Sequence, residues 1–134
     1  MANILVIEDQ RQLCQLYGSV LGRSRHHVDL AYSGEDGVAQ ANQNRPDLII
    51  LDMMLPGMSG VEVARKLKES GVLPGASLII ATAVPDQAQP ITQFCQTATV
   101  LTKPFQIKSL VSAVRHALED STAENGSLEP VSAI

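Results

Sequence analysis

Apolar positions along this chain fall into two alternating rhythms. Five short runs rich in β-branched residues, Asn3–Ile7, Val28–Tyr32, Leu48–Leu51, Leu78–Ala81 and Ala98–Leu101, are too short for helices, and several are apolar throughout. Strands buried on both faces have this character. Between the runs, apolar residues recur at helical spacing. Leu13, Leu16, Val20 and Leu21 share one face of a helix predicted over Arg11–Leu21. Ile107, Leu110, Val111, Val114 and Leu118 do the same over Ile107–Glu119. Ser33 with Asp36, and Ser59 with Glu62, have the spacing of capping boxes that open two further helices, and Gly71 is a stop for the second of them. Pro85 and Pro90 argue against a full helix within Val84–Ala98, where a short helix from Pro90 to about Gln96 is predicted. The last stretch, Asp120–Ile134, is rich in Ser, Glu, Gly and Pro and reads as a disordered tail or truncated linker, leaving 1–119 as one domain.

Strict alternation of β and α segments predicts an α/β fold with a parallel sheet covered by helices on both faces. Right-handed crossovers allow the doubly wound order 2-1-3-4-5, whose working site lies outside the carboxyl ends of the strands, where strands 1 and 3 part. Those ends carry Glu8 and Asp9 after strand 1, Asp52 after strand 3, Thr82 after strand 4, and Lys103 with Pro104 after strand 5. Three carboxylates packed without a counter-charge repel one another, and one of them would keep its proton. A hard divalent cation with oxygen ligands relieves this. With no His or Cys in the set, Mg²⁺ suits it better than Zn²⁺. Lys103 supplies a point positive charge and Thr82 a hydroxyl, a combination fit to hold phosphoryl oxygens. The chemistry that follows is a carboxylate meeting a phosphoryl group beside a metal, with Asp52 as the nucleophile of an acyl phosphate.

Composition narrows the classes. The 134 residues carry net charge −4, so no basic field invites nucleic acid, and aromatics are 3% with no Trp, which disfavours stacking platforms. No apolar run approaches the ~18 residues that span a bilayer. The opening MANILVIEDQ lacks the basic region and cleavage site of a signal peptide, so the expectation is a cytoplasmic protein without a membrane partner. Cys14 and Cys95 stand far apart in no metal-ligand spacing and are expected to be reduced, buried and structural. His26, His27 and His116 are likewise not spaced as metal ligands and are expected on the surface.

The segments VIED (6–9), LIILDMMLPGMSG (48–60), IIATA (79–83) and LTKPF (101–105) together resemble the receiver domain of two-component response regulators, over about Asn3 to Glu119. The resemblance implies a (βα)5 flavodoxin-like three-layer sandwich. It implies a phosphorylation-controlled switch, not an enzyme, that accepts a phosphoryl group on Asp52 from a sensor histidine kinase or phosphotransfer protein. By the same resemblance Mg²⁺ is the cofactor, held by Asp9, Asp52 and the backbone carbonyl of Met54, with Glu8 acting through water. Thr82 and Lys103 would bind the phosphoryl oxygens, Ala83 would support the loop after strand 4, and the Lys103–Pro104 peptide would be cis. Pro56, Gly57 and Gly60 would shape the loop after Asp52.

Some positions depart from the family pattern. Val100 stands where the family carries a switch aromatic, three residues before the lysine. Met54 and Val84, two after Asp52 and two after Thr82, are apolar and unable to orient a hydrolytic water, so slow self-dephosphorylation is expected. Receivers often dimerise weakly, and the Val100 face is the candidate surface for a weak homodimer. The competing reading is a phosphate-independent pseudo-receiver, whose usual mark is loss of an acidic residue or the lysine; all are present. A flavodoxin would need a Ser/Thr/Gly-rich loop where Glu8-Asp9-Gln10 stands, and glycine fingerprints for nucleotides are absent. The output partner stays open: the chain either acts alone or is the front of a larger regulator.

Overall fold

In a computed structural model, which describes residues 2–126, five strands alternate with five helices. They are β1 (Asn3–Ile7), α1 (Arg11–Gly22), β2 (His27–Ala31), α2 (Gly34–Asn44), β3 (Leu48–Asp52), α3 (Gly60–Glu69), β4 (Ser77–Thr82), α4 (Gln89–Phe94), β5 (Ala98–Thr102) and α5 (Ile107–Gly126), with a 3₁₀ turn at Pro85–Ala88 leading into α4. All strand pairs are parallel, in the order β2-β1-β3-β4-β5, the doubly wound arrangement expected from the alternation. The central strands β3 and β4 are buried along their whole length, whereas the edge strands β2 and β5 keep partial exposure.

Side chains of alternate residues leave a strand on opposite faces, and this builds two cores from one sheet. Leu5, Ile7, Ile49, Leu51, Leu78 and Ile80 face α2, α3 and α4, meeting Ala41, Val63, Leu67 and Ile91. Ile4, Val6, Leu48, Ile50 and Ile79 face α1 and α5, meeting Cys14, Tyr17, Leu21, Leu110 and Val114. Both cysteines are free and buried, as expected, and burial pushes the Cys14 thiol up to about 11.

Helix ends follow local chemistry. Ser59 and Glu62 form a full capping box: the Ser59 hydroxyl accepts from the Glu62 N–H at 3.2 Å and the Glu62 carboxylate accepts from the Ser59 N–H at 3.4 Å. At Ser33 only half of the box forms. The hydroxyl accepts from the Asp36 N–H at 3.1 Å, but the Asp36 carboxylate turns to accept from Gln40 Nε2 at 2.9 Å. Helix α3 stops through Gly71 at φ +84, with Gly71 N–H bonded to Lys68 O and Val72 N–H to Leu67 O, a Schellman ending that needs a left-handed residue.

Three expectations change. The buried stripe of α1 is Cys14, Tyr17 and Leu21, and Leu16 is 46% exposed, because the helix is rotated so that its 3-4 stripe meets β1, β2 and α5. The fourth crossover starts earlier than Pro90 and ends before Gln96. Pro85 and Pro90 each lie in a first turn, where a missing N–H breaks no helical bond, so the 3₁₀ turn and α4 form one short continuous segment. Helix α5 runs past Glu119 to Gly126, with no proline or glycine before that residue to interrupt it. The remainder of the expected tail, 127–134, lies outside the described residues. The Lys103–Pro104 peptide is cis, and so is Leu73–Pro74. No helix among the described residues is long and apolar enough to cross a membrane.

Candidate functional site

The carboxyl ends of β1 and β3 place three acidic side chains together. Ligand oxygens of Glu8, Asp9 and Asp52 lie within 4.8 Å of one another, and the donor set is all oxygen. Glu8 is 2% and Asp52 5% exposed, so two of the three carboxylates are buried. A buried carboxylate is costly unless charges and hydrogen bonds compensate it, and the backbone supplies part of that. Gln10 N–H donates to Glu8 Oε2 at 3.2 Å, and Met54 N–H donates to Asp52 Oδ1 at 3.2 Å. Lys103 supplies the rest: its ammonium stands 3.3 Å from Asp52 Oδ1 and 3.4 Å from Glu8 Oε1, bridging the pair. The lysine is delivered by the sheet, since Lys103 N–H donates to Thr82 O at 2.8 Å just past the end of β5.

Burial raises Glu8 from its ordinary 4.5 to about 7, helped by the Asp52 charge and opposed by the Gln10 N–H and the Lys103 ammonium. Between these two values the folded chain holds a proton that the unfolded chain has lost. Stability therefore falls as pH rises from about 4.5 to about 7 and levels off above, a decline on the order of 3 kcal/mol from this one group. Glu8→Gln removes that part of the decline. Urea unfolding in EDTA at pH 5 and pH 8 checks it, and equal pH dependence in both chains would contradict it.

The other expected site residues are placed differently. Thr82 is 1% exposed, and its hydroxyl is engaged by its own loop, accepting from Val84 N–H at 3.0 Å and donating to Val84 O at 3.2 Å. Ala83 is exposed on that loop. The Met54 side chain is 70% and Val84 48% exposed, so the loops after β3 and β4 bear apolar groups on their surface. Val100 is 37% exposed on the edge strand β5. Pro104 is exposed next to Lys103.

Two features add to what the residue pattern gave. Gly60 shapes the loop after Asp52 by its lack of volume rather than by its backbone angles. A Cβ there would stand 2.9 Å from Met53 Cα and 2.7 Å from Met53 Sδ, while Gly60 N–H closes the loop on Met53 O at 3.1 Å. Gly60→Ala is expected to cost about 1–3 kcal/mol and to slow any chemistry at Asp52, because backbone has to move. Urea unfolding and the loading rate measure both; an unchanged chain would show that the loop yields freely. The second feature is an aromatic pair, Tyr17 stacked on Phe105 with centroids 5.8 Å apart, which anchors α1 to the segment following Lys103. Burial, with the Glu8 and Asp52 charges, pushes the Tyr17 phenol up to about 12, so it stays neutral. With only two phenylalanines and two tyrosines in the chain, no periodicity marks such a pair in advance.

A parallel five-stranded sheet with three carboxylates and a lysine gathered at its carboxyl edge defines a doubly wound α/β protein with an acidic site at its switch point. The response regulator receiver domain family matches residues 4–115, and the chain belongs to it, the phosphorylation-dependent module of two-component signalling. It is 35% identical over 119 residues to the response regulator ArlR of Staphylococcus haemolyticus, covering 88% of this chain and 53% of that protein. The chain thus spans about half the length of the curated relatives it matches. Among solved structures, a response regulator receiver domain protein from Clostridium thermocellum is 28% identical with TM-score 0.79, over 92% of this chain and 99% of that one. The chemotaxis protein CheY4 of Vibrio cholerae, at 24% identity, shares the fold with TM-score 0.80 over 88% of this chain and 99% of its own.

Proposed function

We propose that this chain takes a phosphoryl group on Asp52 from a sensor histidine kinase or phosphotransfer protein, with Mg²⁺ as cofactor. The observation that carries the reading is the gathering of Glu8, Asp9 and Asp52 oxygens within 4.8 Å of one another, with Lys103 Nζ 3.3 Å from Asp52. The all-oxygen donor set fits a hard cation. Asp9, Asp52 and the Met54 backbone carbonyl would hold it directly and Glu8 through water, and when bound it draws negative charge from the phosphoryl oxygens.

The chain's own residues do the rest. An Asp52 carboxylate oxygen forms the new bond to phosphorus as the donor's P–N bond breaks, and the leaving imidazole nitrogen takes up a proton. Met54 N–H donates to Asp52 Oδ1, keeping the carboxylate oriented for attack. Lys103, already beside Asp52, stabilises the added charge on the phosphoryl oxygens. For the Thr82 hydroxyl to join them, its two bonds to Val84 have to be given up. That exchange frees the loop after β4 and converts a local charge into a change of surface. The apolar Met54 and Val84 hold no water for hydrolysis, which supports a long-lived phosphoryl group.

The receiver unit is 1–119, working in the cytoplasm as a phosphoacceptor rather than a turnover enzyme, with weak self-association through the Val100 face. The pseudo-receiver reading has no observation in its favour, since every charged residue of the set is present. Intact mass after incubation with acetyl phosphate and Mg²⁺ tests the proposal: a gain of about 80 Da, abolished by EDTA, is expected. No gain with Mg²⁺ present would overturn it.

A further inference from the structure

The acidic site has a cation on each flank, and the two are placed differently. Lys103, on the β5 side, is taken up by the site itself, 3.4 Å from Glu8 and 3.3 Å from Asp52. Arg11, the first residue of α1 and two beyond Asp9, is exposed. Its guanidinium stands on the β2 side, over the Tyr32 ring and 4.2 Å from the centroid. Although a carboxylate lies two residues away, Arg11 forms no ion pair among the described residues. The Tyr32 ring takes its place: the face of an aromatic ring attracts a cation but leaves its charge uncompensated. The ring is itself held. Gln15, one helical turn on from Arg11, donates from Nε2 to the Tyr32 hydroxyl at 3.5 Å, and the ring packs against the core beneath α1.

Strand register sets how far this charge stands from the phosphoacceptor. Ile7 pairs with Ala31 on one side and with Leu51 on the other. Tyr32, Glu8 and Asp52 therefore come next at one level, and Glu8 N–H donates to Ala31 O at 3.0 Å to keep β1 and β2 together there. Neighbouring strands are ~4.8 Å apart, so the backbones at Tyr32 and Asp52 are separated by about 10 Å, with Glu8 between them. The screening length is about 10 Å at 0.1 M salt and longer below it, so an uncompensated charge on Tyr32 is felt at Asp52.

We propose that Arg11 is a steering residue: held on Tyr32 outside the acidic cluster, its charge draws small acyl phosphate dianions to the site and raises the rate of their capture. It does so without touching the reacting atoms, and the proposal rests on Asp52 as the phosphoacceptor. Glu8, Asp9 and Asp52 outnumber the one ammonium that answers them, so a dianion arriving there meets carboxylates first. Lys103 cannot offset this at a distance, because its charge is already spent on two of the three. A cation paired with none of them keeps its long-range field, and such a field raises association rates in a salt-dependent way. Steering of this kind also discriminates, favouring donors that carry two negative charges over neutral or singly charged ones of the same reactivity.

The test is the second-order rate of loading of the whole chain by acetyl phosphate, followed by intact mass with Mg²⁺ held at a saturating level. The rate is measured from about 0.05 M to about 1 M ionic strength, where the screening length shrinks to about 3 Å. At low salt Arg11→Gln should load roughly threefold and Arg11→Glu roughly tenfold more slowly than the parent, as one and two units of charge about 10 Å away require. Arg11→Lys, which keeps the charge, should load as the parent does. At about 1 M all four rates should converge. A loss of fold or of local packing would persist at high salt, and far-UV circular dichroism verifies that each variant is folded. The proposal is overturned if Arg11→Glu loads like the parent at low salt, or if its deficit is the same at both salt levels. A parent chain that takes up no phosphoryl group overturns the function and this inference with it. A parent chain that loads, alongside an Arg11→Glu chain equally fast, overturns this inference alone.

Discussion

Asp52→Asn is expected to take up phosphoryl groups from acetyl phosphate more slowly than the parent chain by roughly a thousandfold or more, the scale on which loss of a nucleophile acts. The reason is chemical rather than structural. Asp52 Oδ1 already accepts from Met54 N–H at 3.2 Å and faces Lys103 Nζ at 3.3 Å. An asparagine oxygen can keep both contacts, with the amide nitrogen replacing the remaining carboxylate oxygen. The variant therefore folds, but it offers no anionic oxygen to phosphorus and one fewer hard ligand to a cation. It also removes a negative charge that helps to raise Glu8, so the Glu8 carboxyl should titrate lower than about 7 in the variant. Intact mass over time gives the rate. Loading as fast as in the parent chain would mean that another side chain takes the phosphoryl group, and the assignment of Asp52 would fall.

Leu51→Ala is expected to cost about 2–5 kcal/mol in urea unfolding, a large part of the ~5–15 kcal/mol that holds a domain of this size together. Leu51 is fully buried, paired in register with Ile7 on one side and Ile80 on the other, and its cluster continues into Val63 and Leu67 of α3. Truncation loses apolar burial, and neighbours fixed in a ladder on both sides cannot collapse into the cavity. Val100→Ala is the matched comparison. Val100 is 37% exposed on an edge strand, so its truncation should cost less than about 1 kcal/mol. Similar costs at the two positions would contradict the placement of the core. Because Leu51 immediately precedes Asp52, loading should be followed in the same variant at low urea, where a slower rate reports loosening at the end of β3.

Both substitutions act on a strand whose place was readable in advance, and the reason is specific. Leu48–Leu51 is apolar at every position, and only a central strand of a parallel sheet is covered on both faces. The same argument located β4, and a carboxylate, a hydroxyl or a lysine at the end of such a run marked the edge where polar groups return to solvent. Ser59 and Glu62 were legible for an equally local reason, since a capping box involves only four consecutive residues. Helix α1 was less so. The stripe read from the sequence, Leu13, Leu16, Val20 and Leu21, shares only Leu21 with the buried Cys14, Tyr17 and Leu21, and the difference is a rotation about the helix axis settled by β2 and α5.

At the site the division is sharper. The spacing of Glu8, Asp9, Asp52, Thr82 and Lys103 along the chain determined which residues meet, because parallel strands bring their carboxyl ends to one edge whatever the loops do. It did not determine how they meet. That Lys103 bridges Glu8 and Asp52, that burial lifts Glu8 to about 7, and that the Thr82 hydroxyl is held by Val84 depend on dielectric surroundings and loop geometry assembled from five separate segments. Likewise Asn44 meets Asp29 only when α2 docks beside β2. Order along the chain carries topology, since strand periodicity and chirality are local properties. Distances, burial and charge balance are collective ones, and only the packed structure decides them.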